Sequence, residues 1–141
     1  MLARDLMRCD VFTIRDDRPL SELIDLLVRE HINSCPVVDD SGELVGIVTQ
    51  QDVFFSTVTR DLGTSGGGTR EGRRDAGNLR VRDLMTSPAV SASEETEVLG
   101  LCRMMHRLRL HSVPIVKEGR VTGIISTLDI VGQVASGTVP V

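Results

Sequence analysis

Thr49 stands three residues ahead of Asp52, and Ser126 three residues ahead of Asp129, each setting a hydroxyl ahead of a carboxylate. Each follows a glycine and two apolar residues, Gly46-Ile47-Val48 and Gly123-Ile124-Ile125. The spacing is that of a capping box, in which hydroxyl and acid each accept the other's backbone N–H at a helix start. An acid in the first turn also complements the helix dipole. The same arrangement suits a ligand. A helix N-terminus offers unpaired N–H groups and positive potential to a phosphate. The hydroxyl can donate to a phosphate or ribose oxygen, and the carboxylate can accept from vicinal ribose hydroxyls. Capping accounts for either copy alone. Two copies beside the same proline-bearing strand argue for a site.

That strand begins at Ser34-Cys35-Pro36 and again at Ser112-Val113-Pro114, preceded by Asn33 and His111. Proline lacks a backbone donor and belongs at a strand start or edge. Free carbonyls and N–H groups beside it can read the polar edge of a base; a plain edge proline explains the residues equally well. Ahead of the second strand lies a basic stretch, Arg103, His106, Arg107, Arg109 and His111. The first copy has Arg29, His31 and Asn33 there. Arg103 and Arg107 read as a solvated helix face. Arg109 and His111 fall in the helix-to-strand loop and are the better candidates for a phosphate contact. No G-x-S-x-G, H-E-x-x-H or P-loop occurs, so no catalytic residue is assigned and the chain reads as a non-enzyme. Cys9, Cys35 and Cys102 lack C-x-x-C spacing, and His31, His106 and His111 lack i,i+4 spacing. Neither a disulfide framework nor a metal site follows, and a reduced, cytoplasmic protein is expected.

The elements that must position these residues come twice. Arg4-Asp5-Leu6-Met7 recurs 78 residues later as Arg82-Asp83-Leu84-Met85, and Asn33–Val38 recurs at the same offset as His111–Val116. Gly46–Asp52 recurs at an offset of 77 as Gly123–Asp129. Two copies of one unit suggest a pseudo-symmetric pair rather than a solenoid. Each copy opens on a short helical R-D-L-M segment. A short strand follows, Val11–Ile14 or Ala89–Ala92. An amphipathic helix comes next, with its apolar stripe at Leu20, Leu23, Ile24, Leu27 and Val28, or at Val98, Leu101, Cys102, Met105 and His106. Pro19 suits the first turn of one helix, and Thr96 is the expected N-cap of the other. Two β-rich runs follow, Cys35–Val38 and Leu44–Thr49, or Val113–Val116 and Val121–Ser126. A last helix begins after Thr49 or Ser126 and carries Val53, Phe54 and Val58, or Ile130, Val131 and Val134. The order β-α-β-β-α predicts a small sheet with two helices on one face, twice over. Neither half alone provides two good layers of core, so the two sheets are expected to pack together. Between the copies, Asp61–Asn78 holds six glycines and almost no apolar residue, and reads as a flexible linker. Its Arg70, Arg73 and Arg74 read as part of a solvated tether.

The composition narrows the function. The chain has 141 residues with 40% apolar and 26% charged, an ordinary globular balance. A net charge of −4 does not favour nucleic acid as a partner, and with Trp and Tyr absent there is no stacking platform. No apolar run approaches a membrane span, and the N-terminus has no secretory apolar core.

The paired blocks R-D-L-M, S-x-P-[VI]-V and G-I-[VI]-[TS]-x-x-D resemble a tandem pair of cystathionine-β-synthase (CBS) domains, a Bateman module. The resemblance covers residues 1–60 and 79–136, leaving the linker 61–78 and a C-terminal tail 137–141. It implies an α/β (α+β) fold of two pseudo-symmetric β-α-β-β-α repeats packed through their sheets. It also implies clefts that bind an adenosine-containing ligand: AMP, ADP, ATP or S-adenosylmethionine. Asp52 and Asp129 would then hold ribose hydroxyls, and Thr49 and Ser126 ribose or phosphate. Asn33, Ser34, Cys35 and Pro36, with His111, Ser112, Val113 and Pro114, would flank the adenine. Thr13 and Ser91 would line the cleft from the first strand. The long glycine-rich linker departs from the pattern. The implied protein is a non-catalytic sensor that needs no cofactor, takes the adenine nucleotide or S-adenosylmethionine as a regulatory ligand, pairs into a homodimer through its helices and signals through a separate protein. The rival reading is a structural dimerisation module with empty clefts.

Overall fold

The computed structural model describes residues 1–63 and 78–138, with side chains described except at 59–63. The elements are α1 (Ala3–Leu6), β1 (Ile14–Arg15), α2 (Leu20–Arg29), β2 (Ser34–Val38), β3 (Leu44–Thr49), α3 (Gln50–Gly63), α4 (Val81–Leu84), β4 (Ala92–Ser93), α5 (Val98–Leu108), β5 (Ser112–Lys117), β6 (Arg120–Ser126) and α6 (Thr127–Ala135). The β-α-β-β-α order is present in both copies. Two three-stranded sheets form, β1-β2-β3 and β4-β5-β6. In each, the first strand runs parallel to the middle one and the last antiparallel to it.

The middle strands are buried residue after residue, Cys35–Val38 and Val113–Ile115. A strand covered on both faces shows an unbroken apolar run instead of alternation, as these sequences do. The first strands start later than expected, at Ile14 and Ala92, because pairing begins only where the chain meets Val37 and Ile115. Pro19 stands one residue before α2 rather than inside its first turn. Thr96 does not cap α5. Glu97 holds that position without a side-chain bond, and Thr96 Oγ1 instead accepts from the Ser93 N–H at 3.1 Å, closing the turn before the helix. Residues 61–63, expected as linker, continue α3. Residues 64–77, including Arg70, Arg73 and Arg74, and residues 139–141 lie outside the described residues.

The compact units are not the two sequence copies. One comprises Met1–Val11 and Val90–Val141, the other Phe12–Ala89. The first segment of each copy therefore packs with the remainder of the other. In the first unit, the Leu2 N–H donates to Asp5 and the Ala3 N–H to the Thr96 carbonyl at 2.7 Å, seating α1. Ala3 and Leu6 then join Val98, Leu101, Met105, Val113, Ile115 and Ile125 in one core. In the second unit, Val81 of α4 joins Ile14, Leu23, Leu27, Cys35, Val37 and Val48. Each unit thus has its own core, and the exchanged segment completes it. Of the expected helix stripes, Leu23 and Leu27, and Val98, Leu101 and Met105, are buried, whereas Ile24 and Val28 are exposed.

The seat of each exchanged segment is a glycine. A Cβ on Gly123 would stand 2.7 Å from Met7 Cγ and 2.9 Å from Met7 Cβ. One on Gly46 would stand 2.7 Å from Met85 Sδ and 2.9 Å from the Thr86 carbonyl oxygen. The methionine of R-D-L-M and the glycine of G-I-[VI]-[TS] are thus two halves of one contact. Overpacking such a seat costs about 1–3 kcal/mol. Gly123→Ala is expected to lose that amount in denaturant unfolding, and Met7→Ala on the same background to recover much of it. Gly46→Ala should be rescued less well by Met85→Ala, because the carbonyl oxygen remains. Additive losses in the Gly123 pair would contradict this account.

Candidate ligand site

Strand register builds the site. Ser34, at the start of β2, lies opposite Thr49, at the end of β3, and Ser112 of β5 lies opposite Ser126 of β6. The helix that follows begins at once. Its first N–H is taken by the strand-start loop, Gln50 to the Asn33 carbonyl at 2.8 Å and Thr127 to the His111 carbonyl at 2.9 Å. Within each unit, then, the strand start and the hydroxyl–acid pair stand together at one end of the sheet. Thr13 and Ser91 immediately precede the first strands, whose pairing begins at Val37 and Ile115, three residues along from Ser34 and Ser112, so the register does not bring them to the strand starts.

The hydroxyl–acid pairs form reciprocal capping boxes. The Asp52 N–H donates to Thr49 Oγ1 at 3.1 Å and the Thr49 N–H to Asp52 Oδ2 at 2.8 Å. The Asp129 N–H donates to Ser126 Oγ at 3.1 Å and the Ser126 N–H to Asp129 Oδ2 at 2.8 Å. Each carboxylate keeps one oxygen, and each hydroxyl its hydrogen, outside the box. The helices behind them, α3 and α6, run for 14 and 9 residues, enough to present a positive N-terminal end.

Other expected site residues are placed differently. Cys35, Pro36, Val113 and Pro114 are fully buried, so only their main chain can face a ligand. Burial pushes the Cys35 thiol up to about 12, which keeps it protonated and unreactive. Its thiol donates to the Phe12 carbonyl at 3.3 Å, tying the approach to β1 onto β2. Asn33, Thr13 and His111 are exposed; Ser34, Ser112 and Ser91 are half-buried. Arg109 is the left-handed cap of α5, with φ 55°, and its exposed side chain has no ion pair among the described residues. Its backbone position is fixed, but no contact joins it to Ser126 or Asp129. Among the described residues, no group of three or more His, Cys, Asp or Glu can hold a metal ion. No helix among them is long and apolar enough to cross a membrane.

One charged neighbour of the site was not foreseen from the sequence. Arg8 Nε lies 3.7 Å from Asp129 Oδ1. The signal was available: Arg8 follows the first R-D-L-M, whereas Thr86 follows the second.

A family model for the CBS domain matches residues 3–56 and 81–136. The chain belongs to the CBS-domain family. Inosine-5'-monophosphate dehydrogenase of Mycobacterium bovis is 30% identical over 127 residues, which are 89% of this chain and 21% of the enzyme. The chain spans less than half the length of the curated relatives it matches, 42% of one and 21% of that dehydrogenase. Among solved structures, the CBS domain pair of protein MJ0100 in complex with 5-methylthioadenosine and S-adenosyl-L-methionine has a TM-score of 0.75 at 24% identity, over 99% of this chain and 98% of that one. CBSX2 in complex with AMP has a TM-score of 0.78 at 20% identity, covering 98% of each chain. These two likenesses are of fold. In CBS terms, the hydroxyl–acid pairs stand at the strand-to-helix junction of each repeat.

Proposed function

We propose that this chain is a non-catalytic sensor module that binds an adenosine-containing ligand and passes the binding signal to a regulated partner. The observation that carries the reading is the repetition of one arrangement. In both CBS repeats, 1–60 and 79–136, a hydroxyl, a carboxylate, a helix start and a proline-bearing strand start occupy the same end of a sheet. Asp52 and Asp129 accept from ribose hydroxyls, Thr49 and Ser126 donate to ribose or phosphate, and the main chain at Asn33–Pro36 and His111–Pro114 flanks the base. Thr13 and Ser91 line the cleft from the first strand, and Arg109 and His111 in the helix-to-strand loop contact phosphate. AMP, ADP, ATP and S-adenosylmethionine all present the required ribose diol and adenine. The setting proposed is a cytoplasmic homodimer.

Support for the ligand comes from the fold neighbours that hold such molecules. A structural dimerisation module without ligand is the second reading. It is favoured by the apolar residues left exposed on the last helices, Phe54 (60%), Phe55 (59%), Leu128 (77%) and Val131 (60%). A thermal-shift panel of AMP, ADP, ATP, S-adenosylmethionine and NADH separates the two. Ligand at 100 times its dissociation constant adds about 2.7 kcal/mol if it binds only the folded state. For a chain of this size that raises the melting temperature by roughly 5–10 °C. At least one adenine ligand is expected to do so. A flat panel at millimolar concentration leaves the dimerisation reading.

A further inference from the structure

We propose that Arg8 makes the two hydroxyl–acid sites unequal, giving the Ser126–Asp129 site a preference for phosphorylated adenine ligands that the Thr49–Asp52 site lacks. This rests on the ligand reading above and names what sets its specificity.

Arg8 is held in place by its backbone. Its N–H donates to the Ile124 carbonyl and its carbonyl accepts from the Ile124 N–H, both at 3.0 Å, two residues before Ser126. Met7, beside it, is locked over Gly123. The guanidinium is thereby presented to the start of α6, where it meets the one oxygen of Asp129 that the capping box leaves over. At 3.7 Å the contact is an ion pair, longer than a hydrogen bond, and the Arg8 side chain is more than half exposed. Its N–H donors can therefore turn to a ligand. Thr86 is braced in the same way, with bonds of 2.9 and 3.0 Å to Ile47. It carries no charge, and among the described residues no cation lies within ion-pair distance of Asp52.

The consequence for selectivity follows from charge balance. A neutral nucleoside that takes Asp129 Oδ1 for its ribose diol must displace the guanidinium and offers it nothing in return. A nucleotide makes the same displacement but supplies phosphate oxygens, which accept charge-assisted hydrogen bonds from the freed donors. At Asp52 the diol displaces no cation, so nucleoside and nucleotide are more nearly matched.

Calorimetric titration with AMP and with adenosine tests this. The probes are the wild type, Arg8→Thr, Arg8→Lys and Thr86→Arg, with Asp129→Asn marking which binding event belongs to Asp129. At that event, wild type should prefer AMP by about tenfold or more, the worth of a charged hydrogen bond. Arg8→Thr should bring the ratio below about threefold by weakening AMP while adenosine holds or tightens; Arg8→Lys should keep most of it. Thr86→Arg should create a preference at the other event. The melting temperature without ligand should barely move in Arg8→Thr, because an exposed ion pair contributes little. An unchanged ratio in Arg8→Thr while Asp129→Asn still removes the event, or equal weakening of both ligands, overturns the role of Arg8 alone. Failure of the wild type to bind either ligand overturns this inference, whereas the ligand reading itself falls only if the whole thermal-shift panel is flat.

Discussion

Asp129→Asn should weaken binding of the best adenine ligand by about 10-fold to 150-fold, the loss of a charged hydrogen bond worth roughly 1.5–3 kcal/mol. The substitution keeps the size of the side chain and one carbonyl oxygen to accept the Ser126 N–H, so the helix start survives. Its cost without ligand is the dipole interaction of one acid, about 0.3–1 kcal/mol. The two effects are separable because the box uses one oxygen and the proposed ribose contact the other. Asp52→Asn is the companion measurement, since its box has the same lengths, 2.8 and 3.1 Å. Calorimetry reads the affinities and chemical denaturation the stability. If both variants lose only the stability increment and bind as before, the acids are caps and nothing more, and the ligand is held by other residues.

The largest loss of stability is expected from Leu101→Ala. Leu101 is fully buried on α5, in the core that α1 completes. Truncating a buried leucine removes its transfer free energy and leaves a cavity, together about 2–5 kcal/mol. Leu99→Ala, two residues away and 61% exposed, should stay within about 0.5 kcal/mol of wild type. Urea unfolding of the pair checks the assignment of faces on α5. Equal losses would mean that Leu99 is covered by something else, such as a second copy of the chain.

Much of this was legible in the sequence, because duplication writes each element twice at nearly one spacing. The order of strands and helices, the starts of α3 and α6 after Thr49 and Ser126, and the reciprocal boxes all follow from local chemistry that needs only neighbouring residues. What was not legible depends on distant residues. Nothing near Met7 says that it will sit on Gly123, or that Ala3 and Leu6 will fill the core of the other copy's helix and strands. Ile24 and Val28 fit the helical period as well as Leu23 and Leu27 do; periodicity marks a broad stripe and cannot say which edge of it meets the core. Arg8 was hidden for a related reason. Only its pairing with Ile124 brings it to Asp129.

The exchange of first segments also bears on the order in which the chain can assemble as it leaves the ribosome. Domains made during synthesis generally fold from the N-terminus as they emerge. Here the contiguous unit, Phe12–Ala89, is complete once its last residue has been made. The other unit must join Met1–Val11 to Val90–Val141, and its bridges are Leu2 to Glu97 and Arg8 to Ile124. Closing so long a loop carries an entropic cost that its contacts recover only at the end. Ala3, Leu6 and Met7 therefore wait with their apolar surface uncovered until Val90–Val141 has been made, and they reach their places after the unit that follows them.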